Sequence, residues 1–262
     1  MTTTLSFSIV GYTINIVFSP TDWEEKKILL HTSITKYFGA FIIPSQENCD
    51  ALIVVNEIRG IPFIVTKGKA YSQCFKRIRK NKYETYYHVS IFELSQLFLI
   101  LLINLLGTSG FLLHASSVKT KLGAILFTGE SGAGKSTAIQ MLSKYYSPFT
   151  DDCIAIRKIG KKYVCYQVPW IEKSNVKIVK NVQPIDISQI YVVKKNSTFN
   201  IAKINTTQLL YEITKNVWII NNLSKTAIVA ISKCVNFGVK GSILFFSLKS
   251  STDIHKVISK IS

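Results

Sequence analysis

Acidic residues are scarce in this chain: 15 Asp and Glu stand against 32 Lys and Arg among 262 residues, a formal net charge of +17. Arginine is also nearly missing, with Arg157 the sole one after residue 79, so the excess charge is lysine spread through every segment. No single basic face of the kind that tracks a phosphate backbone can be read off, and nucleic acid is not an expected partner. Only Lys76 to Lys82, KRIRKNK, clusters; flanked by the strand-like runs Ala70 to Phe75 and Tyr83 to Val89, it reads as a solvated hairpin connection able to receive an acidic protein or peptide. Cysteine is sparse and unpaired. Cys49, Cys74, Cys153, Cys165 and Cys234 are odd in number and never spaced C-x-x-C, which argues against a disulfide framework or a zinc site and fits a reducing cytoplasm. A long hydrophobic run is lacking too. Ile91 to Leu106 is interrupted by Glu93, Ser95, Gln96 and Asn104 and falls short of the roughly twenty residues a membrane span needs, so it reads as a buried helix and no membrane partner is expected. Met1 to Val10 alternates polar and apolar like a strand and has none of the layout of a secretion signal.

What is present is core: 47% of the residues are hydrophobic, enough for one large domain or two modest ones. Leu5 to Val10 and Tyr12 to Phe18 read as strands about Gly11. Thr21 is placed to cap a helix from Asp22 to Phe38, with Asp22, Glu24 and Glu25 in its first turn, where carboxylates suit the helix dipole. Strands at Ala51 to Val55 and Pro62 to Val65 follow. His31 and His88 have no partner residues nearby in sequence and read as ordinary helix or strand histidines. Gly107 to Gly110, GTSG, ends the long helix and marks the expected division into an α+β N-terminal domain, 1–108, and a second domain, 109–262.

The second domain is built around Ala124 to Thr137, AILFTGESGAGKST. Gly129, Gly134, Lys135 and Ser136 fit the phosphate-loop pattern G-x-x-x-x-G-K-[ST] without a mismatch. The context agrees: Ala124 to Phe127 is a short apolar strand, and Ala138, Ile139, Leu142 and Tyr145 recur at helical spacing. Glycines at 129, 132 and 134 let the backbone aim successive N–H groups at phosphate oxygens beside a positive helix N-terminus. Lys135 reaches the β and γ phosphates, and the Ser136 hydroxyl suits Mg2+, a hard cation that prefers oxygen. Gly129, Glu130, Ser131, Gly132, Ala133, Gly134, Lys135, Ser136 and Thr137 are therefore the expected nucleotide-binding residues, and ATP with Mg2+ the expected ligands.

Before the loop, Phe111 to Val118, FLLHASSV, reads as a strand joined to the loop strand by Lys119 to Gly123, a connection so brief that the two should be antiparallel. It carries His114 to the side of the loop, where a phosphate-contacting or proton-handling role competes with a structural one. After the loop, a helix to Tyr145 or Tyr146 stops ahead of Pro148. Asp151 and Asp152 then precede a strand, Cys153 to Ile159. In a parallel α/β sheet both carboxylates emerge near the loop, and strand alternation points them to opposite sides. One would hold metal and the other accept the proton of an attacking hydroxyl. Ser136 and Asp152 are the expected metal ligands, although spacing alone does not separate the two aspartates.

The run LHASSV, hairpin, GESGAGKST, helix and DD resembles the HPr kinase/phosphorylase family and its kinase-like relatives, whose catalytic fold is related to phosphoenolpyruvate carboxykinase. The resemblance is good over Phe111 to Trp170 and implies an α/β phosphate-loop core of that type behind the α+β N-terminal part. It implies roles for His114, for Gly129 to Thr137 and for Asp151 and Asp152, with Lys135, in catalysis, and it matches Val168, Pro169 and Trp170 to a short Pro-aromatic motif. Where true HPr kinase/phosphorylases carry a segment with glycine and arginine, Val168 to Val182 reads VPWIEKSNVKIVKNV, which argues against HPr itself as acceptor and against phosphorolysis. Kinase-like relatives phosphorylate a serine of a small peptide.

Ile187 to Val193, Asn200 to Ile204 and Ser242 to Leu248 read as strands, and Thr206 to Lys215, Ser224 to Val235 and Thr252 to Ile261 as helices, all of them packing rather than chemistry, with His255 on the surface. No LSGGQ-like stretch points to a transporter ATPase. The expectation is a cytoplasmic, ATP- and Mg2+-dependent serine kinase acting on a small protein or peptide, with a homo-oligomer compatible. The rivals are a small-metabolite kinase of the shikimate type, which usually places arginines over the phosphates, and an ATP-binding regulator without turnover.

Overall fold

The computed structural model describes residues 3–57, 63–66, 69–72, 74–172, 176–197, 200–218, 225–236 and 240–246. The expected closing helix at Thr252 to Ile261, with His255, lies outside them. The fold is mixed α/β and divides into two compact units, Met1–Leu105 with Pro169–Ile171, and Leu106–Val168 with Glu172–Ser262.

In the first unit β1 (Thr3–Ile9) and β2 (Tyr12–Phe18) form a hairpin, followed by α1 (Glu24–Phe38), a 3-10 turn (Gly39–Phe41), β3 (Ile42–Ile43) and β4 (Ala51–Asn56). After β5 (Phe63–Thr66) and β6 (Lys69–Ser72), a small separate hairpin, come β7 (Phe75–Arg79), β8 (Lys82–Tyr86) and α2 (Ile91–Leu106). The sheet runs β3-β1-β2-β4-β8-β7, with β2, β4 and β8 parallel. α2 is as apolar as its sequence suggests, and its Phe98 packs on Phe7 and Phe38 with ring centroids 5.4 and 5.6 Å apart. Ser90 and Glu93 exchange backbone and side-chain bonds at its start, a capping box. Among the described residues no helix is long and apolar enough to cross a membrane.

Two local expectations are corrected here. α1 begins at Glu24 rather than Asp22, because the Asp22 amide bonds the Glu57 carboxylate and Thr21 turns its oxygen to the Trp23 amide two residues on, leaving the helix without a side-chain cap. The basic cluster is mostly strand: Lys76 to Arg79 lie in β7, with Lys76 opposite Glu84, and only Lys80 and Asn81 make the turn, Asn81 at φ 58°. An edge strand with a solvated side tolerates such charge.

The second unit contains β9 (Gly110–Leu113), β10 (Ala115–Thr120), β11 (Gly123–Thr128), α3 (Lys135–Leu142), β12 (Ser147–Asp151), β13 (Ile154–Ile159) and β14 (Lys162–Tyr166). It continues with β15 (Ile185–Lys195), β16 (Asn200–Lys203), α4 (Thr206–Lys215), α5 (Lys225–Asn236) and β17 (Gly241–Phe246). Its sheet runs β12-β10-β11-β15-β14-β13-β9, with β17 also beside β15 and β16 beside β17. Strand periodicity sorts the core. Ala124, Leu126, Ile190 and Val192 face one cluster with Leu209, Ile213 and Ile231 of α4 and α5, while Ile125, Phe127, Tyr191 and Val193 face the other with Ala138, Ile139 and Leu142 of α3. Both faces are covered, so the strands read as continuous apolar runs.

The sheet is mixed, with the strand before the loop antiparallel to the loop strand as the brief Lys119 to Gly123 connection implies. β11, β15 and β17 are parallel, but β10 lies antiparallel between β11 and β12. β11 and β12 therefore run the same way and end at the same edge of the sheet. Phe111 to Val118 is two strands, broken at His114, whose amide donates to Asn216 O (2.7 Å) and whose carbonyl accepts from the Thr128 hydroxyl (3.0 Å). α3 stops at Leu142, earlier than Tyr145, because the Tyr145 amide turns tightly back to the Leu142 carbonyl and the chain must enter β12 at Ser147.

Candidate functional site

At that common sheet edge the chain leaves β11 through the glycine loop and leaves β12 at the aspartate pair. Gly129 has φ 144°, and a Cβ there would come within 2.6 Å of the Val193 carbonyl of β15, so only glycine lets the loop start this close to the neighbouring strand. Gly134, at φ 109°, is the N-cap of α3. The loop thus curls over the N-terminus of a helix whose first amides have no partners within it, the geometry that suits an anion.

Lys135 is buried, and its ammonium donates to the carbonyls of Gly129 (2.8 Å) and Glu130 (3.0 Å), closing the loop on itself. Burial pushes its pKa down, while Asp152 and Asp151 pull it back up. Asp151 is 2% exposed and collects two hydroxyls on one oxygen, Ser116 Oγ at 2.5 Å and Ser136 Oγ at 2.9 Å. Asp152 pairs instead with His114, Nδ1 to Oδ1 at 3.0 Å. These groups line one cleft of about 280 Å3 along the loop from Ser131 to Thr137.

Strict alternation would have sent the two carboxylates to opposite faces. Asp152 escapes it by taking φ 109°, outside the strand region, while its amide bonds the Ala115 carbonyl. The couplet is a sharp corner, and both side chains line the same cleft. Left-handed backbone is costly for a residue with a Cβ and is retained where surrounding structure enforces it.

Three further parts of the site have no role that the sequence pattern assigns. Ser116, in the middle of the HASSV run, is the second hydroxyl on Asp151. Glu172 lies behind the couplet and accepts from the Asp151 amide (2.8 Å), the Thr150 hydroxyl (3.2 Å) and the half-buried ammonium of Lys180. Burial pushes its carboxyl above the ordinary range, with Lys180 opposing. Gln167 anchors that segment, donating to Phe149 O and Val179 O and accepting from the Asn181 amide. Finally, Lys215 of α4, in a region whose pattern speaks only of packing, pairs with loop residue Glu130 at 3.1 Å. For Glu172 the scarcity of acids is a signal in the sequence, since only 15 acidic residues occur in the chain; Ser116, Gln167 and Lys215 have none.

As for donors to a divalent cation, the cleft offers the Ser136 hydroxyl beside a carboxylate, a set that fits Mg2+, which keeps few protein ligands and completes its shell with water and phosphate. Among the described residues no cluster of three or more His, Cys, Asp or Glu side chains suits a metal.

No protein-family model matches the chain, and no curated protein does. Among solved structures it is similar to the HPr(Ser) kinase/phosphatase from Coxiella burnetii, with 12% identity over 57% of this chain and 94% of that one and a TM-score of 0.29, a likeness too slight to bear on activity.

Proposed function

We propose that the second unit is an ATP-dependent phosphotransferase of the HPr-kinase-like type, with a phosphoenolpyruvate carboxykinase-like core, moving a γ-phosphoryl group to a serine or similar hydroxyl of a small protein or peptide in the cytoplasm. The observation that carries this reading is the convergence, in one cleft, of the phosphate loop, the buried Lys135 and two carboxylates with different partners.

The partners divide the labour. Asp151 shares its oxygen with Ser136, so this carboxylate, rather than the Asp152 expected from the sequence, is assigned to the metal side with Ser136. Ser136 and Asp151 would hold Mg2+ there, and the ion would supply positive charge to offset that building on the transferred group. Asp152, oriented by the His114 Nδ1, is assigned as acceptor of the proton from the attacking hydroxyl. The loop amides and Lys135 bind the phosphates, Lys135 trading its two carbonyl contacts for phosphate oxygens. Ser116 keeps the Asp151 carboxylate aimed.

The test is titration calorimetry with ATP and Mg2+, followed by labelled-ATP transfer to a panel of serine-containing peptides. Lys135→Ala is expected to abolish triphosphate binding, and Asp152→Asn to spare binding while removing transfer. Unchanged ATP affinity in Lys135→Ala overturns the assignment. Tight binding with no transfer to peptide, metabolite or water replaces it with a nucleotide-binding regulator.

A further inference from the structure

A second cavity, about 420 Å3, opens on the other side of the same loop. One wall is formed by Gly129 to Ala133, and Ser131 and Gly132 line both cavities, so the two meet across the loop. The opposite wall is the C-terminal end of β15, Val192 to Lys195, with Glu212 and Lys215 of α4. Glu212 is the unusual group. Its side chain is 7% exposed, yet it faces the cavity with Lys194 at 2.8 Å and Lys215 at 3.6 Å. Lys195 leans over the loop from the same wall: a Cβ built on Gly132 would lie 4.0 Å from its ammonium.

A cavity of this size suits a small organic ligand. Phosphates gripped on the carboxylate side of the loop leave the rest of a nucleotide to continue past Ser131 and Gly132, and the next chemical group along is a ribose with two neighbouring hydroxyls. A carboxylate accepts, and a vicinal diol donates twice, so Glu212 matches the sugar. An acidic peptide is the poorer occupant, because it would have to bring its own carboxylates against a buried one. The lysines on either side fix the Glu212 carboxylate and keep the mouth of the cavity positive for the phosphate that joins the sugar. We propose that this cavity seats the nucleoside of the bound triphosphate, with Glu212 accepting from the ribose hydroxyls. The proposal rests on the reading of the loop as a triphosphate site.

Calorimetry with ATP, 2′-deoxy-ATP, 3′-deoxy-ATP and inorganic tripolyphosphate decides it. The unmodified protein should bind ATP at least about tenfold more tightly than tripolyphosphate, and loss of one hydroxyl should weaken binding about tenfold, the scale of a hydrogen bond to a charged group. In Glu212→Leu the penalty for the missing hydroxyl should vanish, while tripolyphosphate, which has no hydroxyl to lose, should bind at least as tightly as to the unmodified protein because Lys194 and Lys215 lose their carboxylate partner. If ATP binds no better than tripolyphosphate, or the deoxy analogues bind like ATP, the nucleoside site is wrong while the loop reading stands. If the unmodified protein binds neither ATP nor tripolyphosphate, both fall together. The analogue series on the unmodified protein separates these outcomes even if the Leu variant fails to fold.

Discussion

Lys180→Met is the substitution that most directly tests how the aspartate couplet is held. Glu172 and Lys180 are paired with side chains only 11% and 15% exposed, and Glu172 also takes the Asp151 amide and the Thr150 hydroxyl. Removing the lysine strands a carboxylate in a site with little water, which typically costs about 3–5 kcal/mol. At about 2–4 °C per kcal/mol for a domain of this size, that is a fall in Tm of about 6–20 °C. The cost should depend on pH in a defined direction. Burial already holds the Glu172 carboxyl above its ordinary pKa, and Lys180 is the main group opposing it. A raised carboxyl favours the folded state below the ordinary carboxylate pKa and loses that contribution as pH climbs through the folded value. Without Lys180 the folded pKa rises further, so the penalty should be greatest near pH 7.5 and shrink toward pH 5 as the acid takes a proton. Adding Glu172→Gln should restore much of the loss, since the amide oxygen still accepts from Asp151 and no charge is stranded. The assay is thermal unfolding by circular dichroism at both pH values for the two single variants and the double. A Tm within about 2 °C of the unmodified protein at pH 7.5, or a cost that grows on acidification, would refute the reasoning.

The remaining predictions concern the loop and the couplet. Gly129→Ala forces a Cβ to 2.6 Å from the Val193 carbonyl at φ 144° and should destabilise by about 1–3 kcal/mol in urea unfolding, whereas Gly132→Ala, with only a lysine tip nearby, should cost about half as much. Asp151→Asn should raise the Mg2+ concentration needed for half-maximal transfer at least about tenfold, on the metal role assigned to it; Asp152→Asn should leave that concentration unchanged and lower turnover by about 10²–10⁴. Asp152→Gly should unfold at a higher temperature than Asp152→Ala, by about 1 kcal/mol or more, because the two lack the same carboxylate and differ in whether a Cβ must sit at φ 109°. Equal stabilities would mean that the corner is not strained.

What the sequence discloses, and what it does not, divides by range along the chain. The loop is legible because all its determinants are local: glycines at fixed spacing, an apolar strand before, helical periodicity after. α2 and α4 are legible for the same reason, since Ile91–Leu106 and Thr206–Lys215 each carry their full pattern within one element. The break at His114 is not, because what interrupts the strand is a backbone bond to Asn216, about a hundred residues away. Glu172 and Lys180 are invisible on similar grounds: eight residues apart and each outside any helix or strand, they meet where Gln167 of the preceding segment bonds both Phe149 O of β12 and Val179 O. The basic run at Lys76 misleads because its charge density masks the strand propensity of the interleaved isoleucine and the pairing with β8.

The couplet shows what the antiparallel strand beside the loop contributes. A parallel sheet and the observed mixed one agree on where Asp151 ends, because inserting one antiparallel strand between β11 and β12 leaves those two running the same way. They disagree on what fills the gap. In the observed order β10 supplies Ser116 at hydrogen-bonding distance from Asp151, and its N-terminal end carries His114 to Asp152. The inserted strand therefore brings each carboxylate its own partner, a hydroxyl for one and an imidazole for the other. Two neighbouring aspartates on an unbroken strand would face opposite sides with unrelated surroundings. Here the turn at Asp152 places both in one cleft, and β10 makes their environments differ, so the assignment of separate tasks to residues 151 and 152 rests on the strand between rather than on the pair itself.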